Sequence, residues 1–220
     1  MLLEIAVFNY QSAQIAAKAG ADRLELCMNY ASGGITPSYG LMKVIKEKIN
    51  IPVFVMIRPR SGNFVYSSTE FEIMKQDILI AKQLGFEGVV LGILKKDNTV
   101  DVERTKQLVA LATPMQITFH RAFDDTPNPI QALEDIINCG CKRILTSGKE
   151  ATAIQGNVLI KQLVTQSNKR IIILAGGSVR SNNITELKKS TKAKEFHSAA
   201  LSVNELANAK EIQKLKAFLL

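Results

Sequence analysis

Ala19-Gly20-Ala21-Asp22-Arg23-Leu24-Glu25-Leu26 decides the fold, because its design returns in Leu84-Gly85-Phe86-Glu87-Gly88-Val89-Val90-Leu91 and in Cys139-Gly140-Cys141-Lys142-Arg143-Ile144-Leu145-Thr146. Each copy reads as the end of a helix, a glycine able to take the left-handed cap, a short polar step and then a strand. The copies enter the second, fourth and sixth strand candidates, so the unit is two strand–helix pairs and the chain is built from four. Outward from these anchors, strand-length apolar runs fall at 2–7, 23–27, 53–57, 88–92, 115–119, 143–146, 170–174 and 194–197.

Helical patterns fill the gaps, with start signals of their own. Thr36-Pro37 opens the series Leu41, Val44, Ile45 and Ile49, with proline at a first helical position. Ser67-x-x-Glu70 reads as a capping box ahead of Phe71, Met74, Ile78 and Ala81. Asn128-Pro129 opens Ile130, Leu133, Ile136 and Ile137. Eight strands alternating with helices predict one (β/α)8 TIM-type barrel spanning 1–220 as a single domain. An open doubly wound sheet is the alternative, but no glycine fingerprint follows the first strand.

Composition bounds the remaining possibilities. A hydrophobic content of 46% in 220 residues supports one substantial core. No run of about 18 uncharged apolar residues occurs, so no membrane span is expected. Met1-Leu2-Leu3-Glu4 lacks the basic start and apolar stretch of a signal peptide. Three cysteines form no disulfide framework, which suits a reducing cytoplasm. The net charge of +8 comes from dispersed lysines such as Lys43, Lys46, Lys48 and Lys161, densest from Lys188-Lys189 to Lys194. Without tryptophan or interleaved aromatics, these read as solvated helix faces and not as a nucleic-acid surface.

A barrel of this kind keeps its site at the C-terminal strand ends. There the chain carries Phe119-His120-Arg121-Ala122-Phe123-Asp124, where a plain turn would use Gly, Asn or Ser. Arg58-Pro59-Arg60 and His197 follow two other strands. Glu4 is read as pointing inward between Leu3 and Ile5, and Glu25 shares a strand face with Cys27. A carboxylate inside a barrel needs a partner, for which Arg23, Arg58 and Arg121 are candidates, or it belongs to an internal ion-pair network.

Ser147-Gly148, Gly176-Gly177 and His197-Ser198 end strands in small residues that can present N–H groups to an anion. His120 or His197 can act as acid or base, with Asp124 or Glu25 orienting the ring. Cys27 with His120 or His197 would make a low-coordinate copper site. Cys139 and Cys141 lie at the opposite rim and read as small buried residues.

Six ordered motifs, Gly20 to Cys27, Gly33-Gly34-Ile35-Thr36-Pro37-Ser38, Met56-Ile57-Arg58-Pro59-Arg60, Phe119 to Asp124, Leu145-Thr146-Ser147-Gly148 and Phe196-His197-Ser198, resemble the CutC copper-homeostasis family from about Leu3 to Ala200. The resemblance implies a cytoplasmic TIM-type barrel, a dimer or larger oligomer, and Cu(I) held through cysteine at the position of Cys27. Arg23, Glu25, Arg58, Arg60, His120, Arg121, Asp124, Ser147, Gly148 and His197 fall on the family's motifs. The chain departs from it at Ala6, where members often carry a cysteine, and at Ser198-Ala199-Ala200, which supplies no second thiol. Two expectations result. One is a copper-homeostasis protein binding Cu(I). The other is an enzyme or sensor taking a small phosphorylated or carboxylated metabolite at the barrel mouth.

Overall fold

In a computed structural model that describes residues 1–202 and 205–220, eight parallel strands close into a barrel in sequence order, with a helix after each. The strands are β1 (Leu2–Val7), β2 (Arg23–Leu26), β3 (Val53–Met56), β4 (Gly88–Leu91), β5 (Gln116–Phe119), β6 (Arg143–Thr146), β7 (Ile172–Gly176) and β8 (Glu195–Ser198). The helices are α1 (Tyr10–Lys18), α2 (Tyr39–Lys48), α3 (Ser68–Gln83), α4 (Val102–Ala112), α5 (Pro129–Cys139), α6 (Asn157–Ser167), α7 (Ile184–Thr191) and α8 (Ala209–Leu219). Pairing of β1 with β8, Glu4 opposite His197, closes the cylinder and excludes the open sheet.

The threefold repeat has one structural cause. Gly20, Gly85 and Gly140 all adopt left-handed φ, at 99°, 80° and 89°. In each copy the glycine N–H donates to the carbonyl three residues back, and the next N–H donates to the carbonyl five back, as in Ala21 to Ala16, Phe86 to Ala81 and Cys141 to Ile136. That pair of bonds satisfies the orphan carbonyls of the helix end and turns the chain into the next strand.

Two local expectations shift. Helix α2 begins at Tyr39 under a Ser38 cap, two residues beyond Pro37. Thr36 is held instead by Arg58, donating its N–H to the Arg58 carbonyl and accepting the Arg58 N–H at its hydroxyl. Strand β7 starts at Ile172, not at 170, because Asn168 and Lys169 are left-handed and Arg170 pairs with Glu134.

Burial separates two apolar compartments. A large cluster containing Leu3, Ile5, Leu24, Leu26, Val55 and Ile117 packs the strands against the helices. A small one, Cys27, Phe54, Met56 and Val90, lies within the barrel beside the charged residues of alternating strand positions. Among the described residues no helix is long and apolar enough to cross a membrane.

Candidate active site at the barrel mouth

The lower half of the barrel interior is an ion-pair network. Arg23 Nε donates to Glu4 Oε2 at 2.5 Å and its Nη2 to Glu195 Oε2 at 2.6 Å, which also accepts from Arg143 Nε at 2.8 Å. Both guanidiniums sit over the Phe54 ring, 4.8 and 5.1 Å from its centroid. Arg23 therefore neutralises Glu4 and Glu195 in the interior and does not line the site. Of the two readings of the internal carboxylates, the network holds for Glu4, and Arg23, Arg58 and Arg121 are not hydrogen-bonded to Glu25.

Above that layer a cavity of ≈ 260 Å³ opens at the C-terminal strand ends. Glu25, Arg58, His120, Arg121, Gly177, His197 and Ser198 line it, so the loops after β2, β3, β5, β7 and β8 converge there. The residue patterns do not single out Phe8, Tyr30, Phe64 or Arg180, and they include Met56 and Leu145 only as members of motifs, yet all six form this wall. Arg180 carries the best signal of these, being the cation that closes Gly177-Ser178-Val179-Arg180. Small Ala6 beneath it helps leave room for the cavity.

His197 joins the two layers. Its Nδ1 lies 2.8 Å from Glu4 Oε1, while Nε2 stands 3.9 Å from Glu25 Oε2. Burial disfavours the imidazolium, but Glu25 and Glu4 overcome it and raise its pKa. Burial also opposes ionisation of Glu4, yet Arg23 and His197 bring that carboxyl down to about 2. Glu25 goes the other way, raised chiefly by burial. Its Oε2 accepts from the Cys27 thiol at 3.4 Å, and its Oε1 has no hydrogen-bond partner.

His120 is a neutral ring of fixed tautomer. It caps the short 3-10 turn Arg121–Asp125, its Nδ1 accepting from the Ala122 N–H at 3.1 Å. The proton is thereby assigned to Nε2, which has no partner. Burial, reinforced by Arg58, pushes its pKa down to about 3. Its ring lies 4.8 Å from that of Phe64 and passes over Gly92, where any Cβ would meet it at 2.6 Å.

The remaining expected site residues are occupied elsewhere. Arg58 donates to the carbonyls of Ser32, Gly34 and Gly62, so it holds the β2 and β3 loops while lining the wall. Arg60 is bound to Glu70, Asn63 and Val65, away from the cavity. Asp124 orients no histidine: it accepts from Arg121, Thr146, the Ser147 N–H and the Lys149 N–H, tying the β5 and β6 loops together. Ser147 belongs to the same tie, its hydroxyl accepting from Arg121 at 2.7 Å. Gly148 packs on Gly156, and Gly176 on Leu145 and His197. Cys27 is sealed under Gly34 at 1% exposure, outside the cavity wall, with its thiol pushed well up by burial and by Glu25. Cys139 and Cys141 are buried.

Fold and site together define a TIM-type barrel with an ionisable pocket at its C-terminal mouth. Within that class the chain belongs to the CutC family, whose model matches residues 1–202. A human protein described as a copper homeostasis protein cutC homolog is 44% identical over 93% of this chain and 75% of its own length. A family protein CutC of Histophilus somni is 47% identical over 91% of this chain and 82% of that protein. The solved structure of a putative copper homeostasis protein CutC from Streptococcus agalactiae superposes with a TM-score of 0.86 at 37% identity, covering 90% of this chain and 98% of that one. Phosphoribosylanthranilate isomerase from Thermotoga maritima reaches 0.67 at 10% identity, covering 100% of this chain and 98% of that one, a likeness of fold alone.

Proposed function

We propose that this protein binds a small phosphorylated or carboxylated metabolite in the barrel mouth and acts on it by proton transfer. One observation carries the reading: Glu25 and His120 both line the cavity, and each keeps a buried polar atom without a partner. Such atoms cost about 1–3 kcal/mol each when left unsatisfied, a cost that a bound ligand removes. In this reading Arg180 and Arg121 attract the anionic group, Glu25 exchanges a proton with the ligand, and the His120 Nε2–H donates to its oxygen. Neutral His120 suits that role, because it donates without adding charge to a site already holding arginines. The free cysteines agree with action in the reducing cytoplasm.

The test is calorimetric titration with 2-phosphoglycolate, a compact phosphate and carboxylate, and with inorganic phosphate. Saturable one-to-one binding is expected, weakened about tenfold or more in Arg180→Leu, the cost of one charge-assisted contact. Binding that is absent for both probes, or indifferent to Arg180, overturns the reading.

A second reading is Cu(I) binding, supported by the names of the relatives and by one contact region. Cys27 Sγ and Met56 Cε approach the same point above Gly34, 3.1 and 3.7 Å from where a Cβ on that glycine would stand. The donor set fits a Cu(I) thiolate poorly, since the thiol must ionise in a buried place beside Glu25. Anaerobic Cu(I) competition against a chromophoric chelator decides it. Tight binding lost in Cys27→Ser supports copper at this thiol, and equally weak binding in both proteins removes it.

A further inference from the structure

Glu4, Glu25 and His197 bring ligand atoms within 4.8 Å of one another, the one such trio of His, Cys, Asp or Glu among the described residues. Proximity of acidic groups alone says little, but here the arrangement is ordered. The Glu4 carboxylate is anchored by Arg23 and faces His197 Nδ1 at 2.8 Å. A carboxylate on one ring nitrogen fixes the imidazole and leaves the other nitrogen as the ligand, the usual outer-sphere arrangement of metal-bound histidines. The other nitrogen, Nε2, stands 3.9 Å from Glu25 Oε2. That is too long for a hydrogen bond. Two bonds to a divalent ion, each about 2.0–2.2 Å, span up to roughly 4.2 Å, so an ion fits between these atoms with a small closure. The independent sign of a missing ligand is Glu25 Oε1, buried and without any partner.

We propose that Glu25 and His197 Nε2 bind a divalent transition ion of the zinc type, with Glu4 as the positioning carboxylate and cavity water or a bound anion completing the shell. Oxygen and imidazole donors favour such an ion over Cu(I), which prefers sulfur. The ion would lie at the floor of the cavity, between two residues that line it and within reach of a ligand held there. The proposal shares Glu25 with the anion reading; with the ion in place Glu25 is a ligand and does not itself exchange a proton.

The test uses the full chain with Zn²⁺ in competition with a chromophoric chelator, and with Co²⁺ as an absorbing substitute. One equivalent is expected to bind, with Glu25→Gln and His197→Gln each weakening it by about tenfold or more. Cys27→Ser should leave both affinity and the Co²⁺ spectrum unchanged, with no sulfur-to-cobalt charge-transfer band. Circular dichroism and thermal melting of the apo variants verify that they fold; Glu25→Gln removes no charge pair closer than 3.9 Å and serves as the primary variant. Absent binding, affinity indifferent to Glu25→Gln in folded protein, or a thiolate band lost in Cys27→Ser overturns the proposal. If 2-phosphoglycolate still binds while Zn²⁺ does not, only the metal reading fails.

Discussion

Two layers of the same barrel interior treat charge in opposite ways. At the lower end Arg23, Arg143, Glu195 and Glu4 are interlocked through contacts of 2.5–2.8 Å, and each carboxylate accepts from a guanidinium, although the fully buried Arg143 Nη1, beside the Phe54 ring, lacks a hydrogen-bond partner. At the mouth Glu25 and His120 each hold an unpartnered atom, and the nearest charge to Glu25 is a histidine nitrogen 3.9 Å away. Burying a charge is costly in both places. Below, the cost is offset within the protein, so those residues hold the cylinder closed. Above, Glu25 Oε1 and His120 Nε2 have no partner within the protein. Residue type does not separate the two layers; what does is that each carboxylate below is hydrogen-bonded to a guanidinium, while Glu25 is not.

That contrast can be broken by mutation. Glu195→Gln should be the most damaging change, since it strips two buried guanidiniums of a shared carboxylate; a loss of about 3–5 kcal/mol in urea unfolding is expected. A loss below about 1 kcal/mol would mean that the lower layer is not what holds the barrel together.

Next comes the pH response of His120. Its folded pKa, about 3, lies below the ordinary value of 6.5. Between these limits the unfolded chain binds the extra proton, so this residue's contribution to stability is present above pH 6.5 and falls by about 1.4 kcal/mol per pH unit below it. His120→Gln should flatten the slope of unfolding free energy between about pH 6.5 and 5, measured against wild type in the same buffers. An unchanged slope would show that the ring is not buried neutral.

The smallest effect is expected at Glu25. Glu25→Gln removes a carboxylate that burial already disfavours, so stability should change by less than about 1 kcal/mol, or rise, while ligand affinity is lost. A large destabilisation would move Glu25 into the structural class and erase the distinction between the layers.

Much of this was legible in the chain. The three glycine-punctuated helix ends, the Ser67 capping box and the Asn128-Pro129 start are local events, each satisfied within a few residues, and all three signals appear as read. Placing Glu4 inward followed from strand alternation. The site was read less evenly. Glu25, His120 and His197 reach the cavity, but Asp124, Arg60 and Cys27 carry equally suggestive residue types and do not line it. Phe64 went unmarked because nothing in its immediate neighbours distinguishes a wall residue from an ordinary loop residue, and Arg180 because its signal, a cation after Gly177-Ser178-Val179, is also that of a plain turn.

The order of strands and helices, the caps that end them and the face on which each polar residue lies are written in the chain, since these depend on φ preference and on periods of two and about 3.6 residues. Which charges find partners is settled by barrel closure. Glu4 meets His197 across 193 residues and Arg23 meets Glu195 across 172, through closure of β1 on β8. The free energy of a buried charge is set by groups a few ångströms away in space, and no local pattern records which those are.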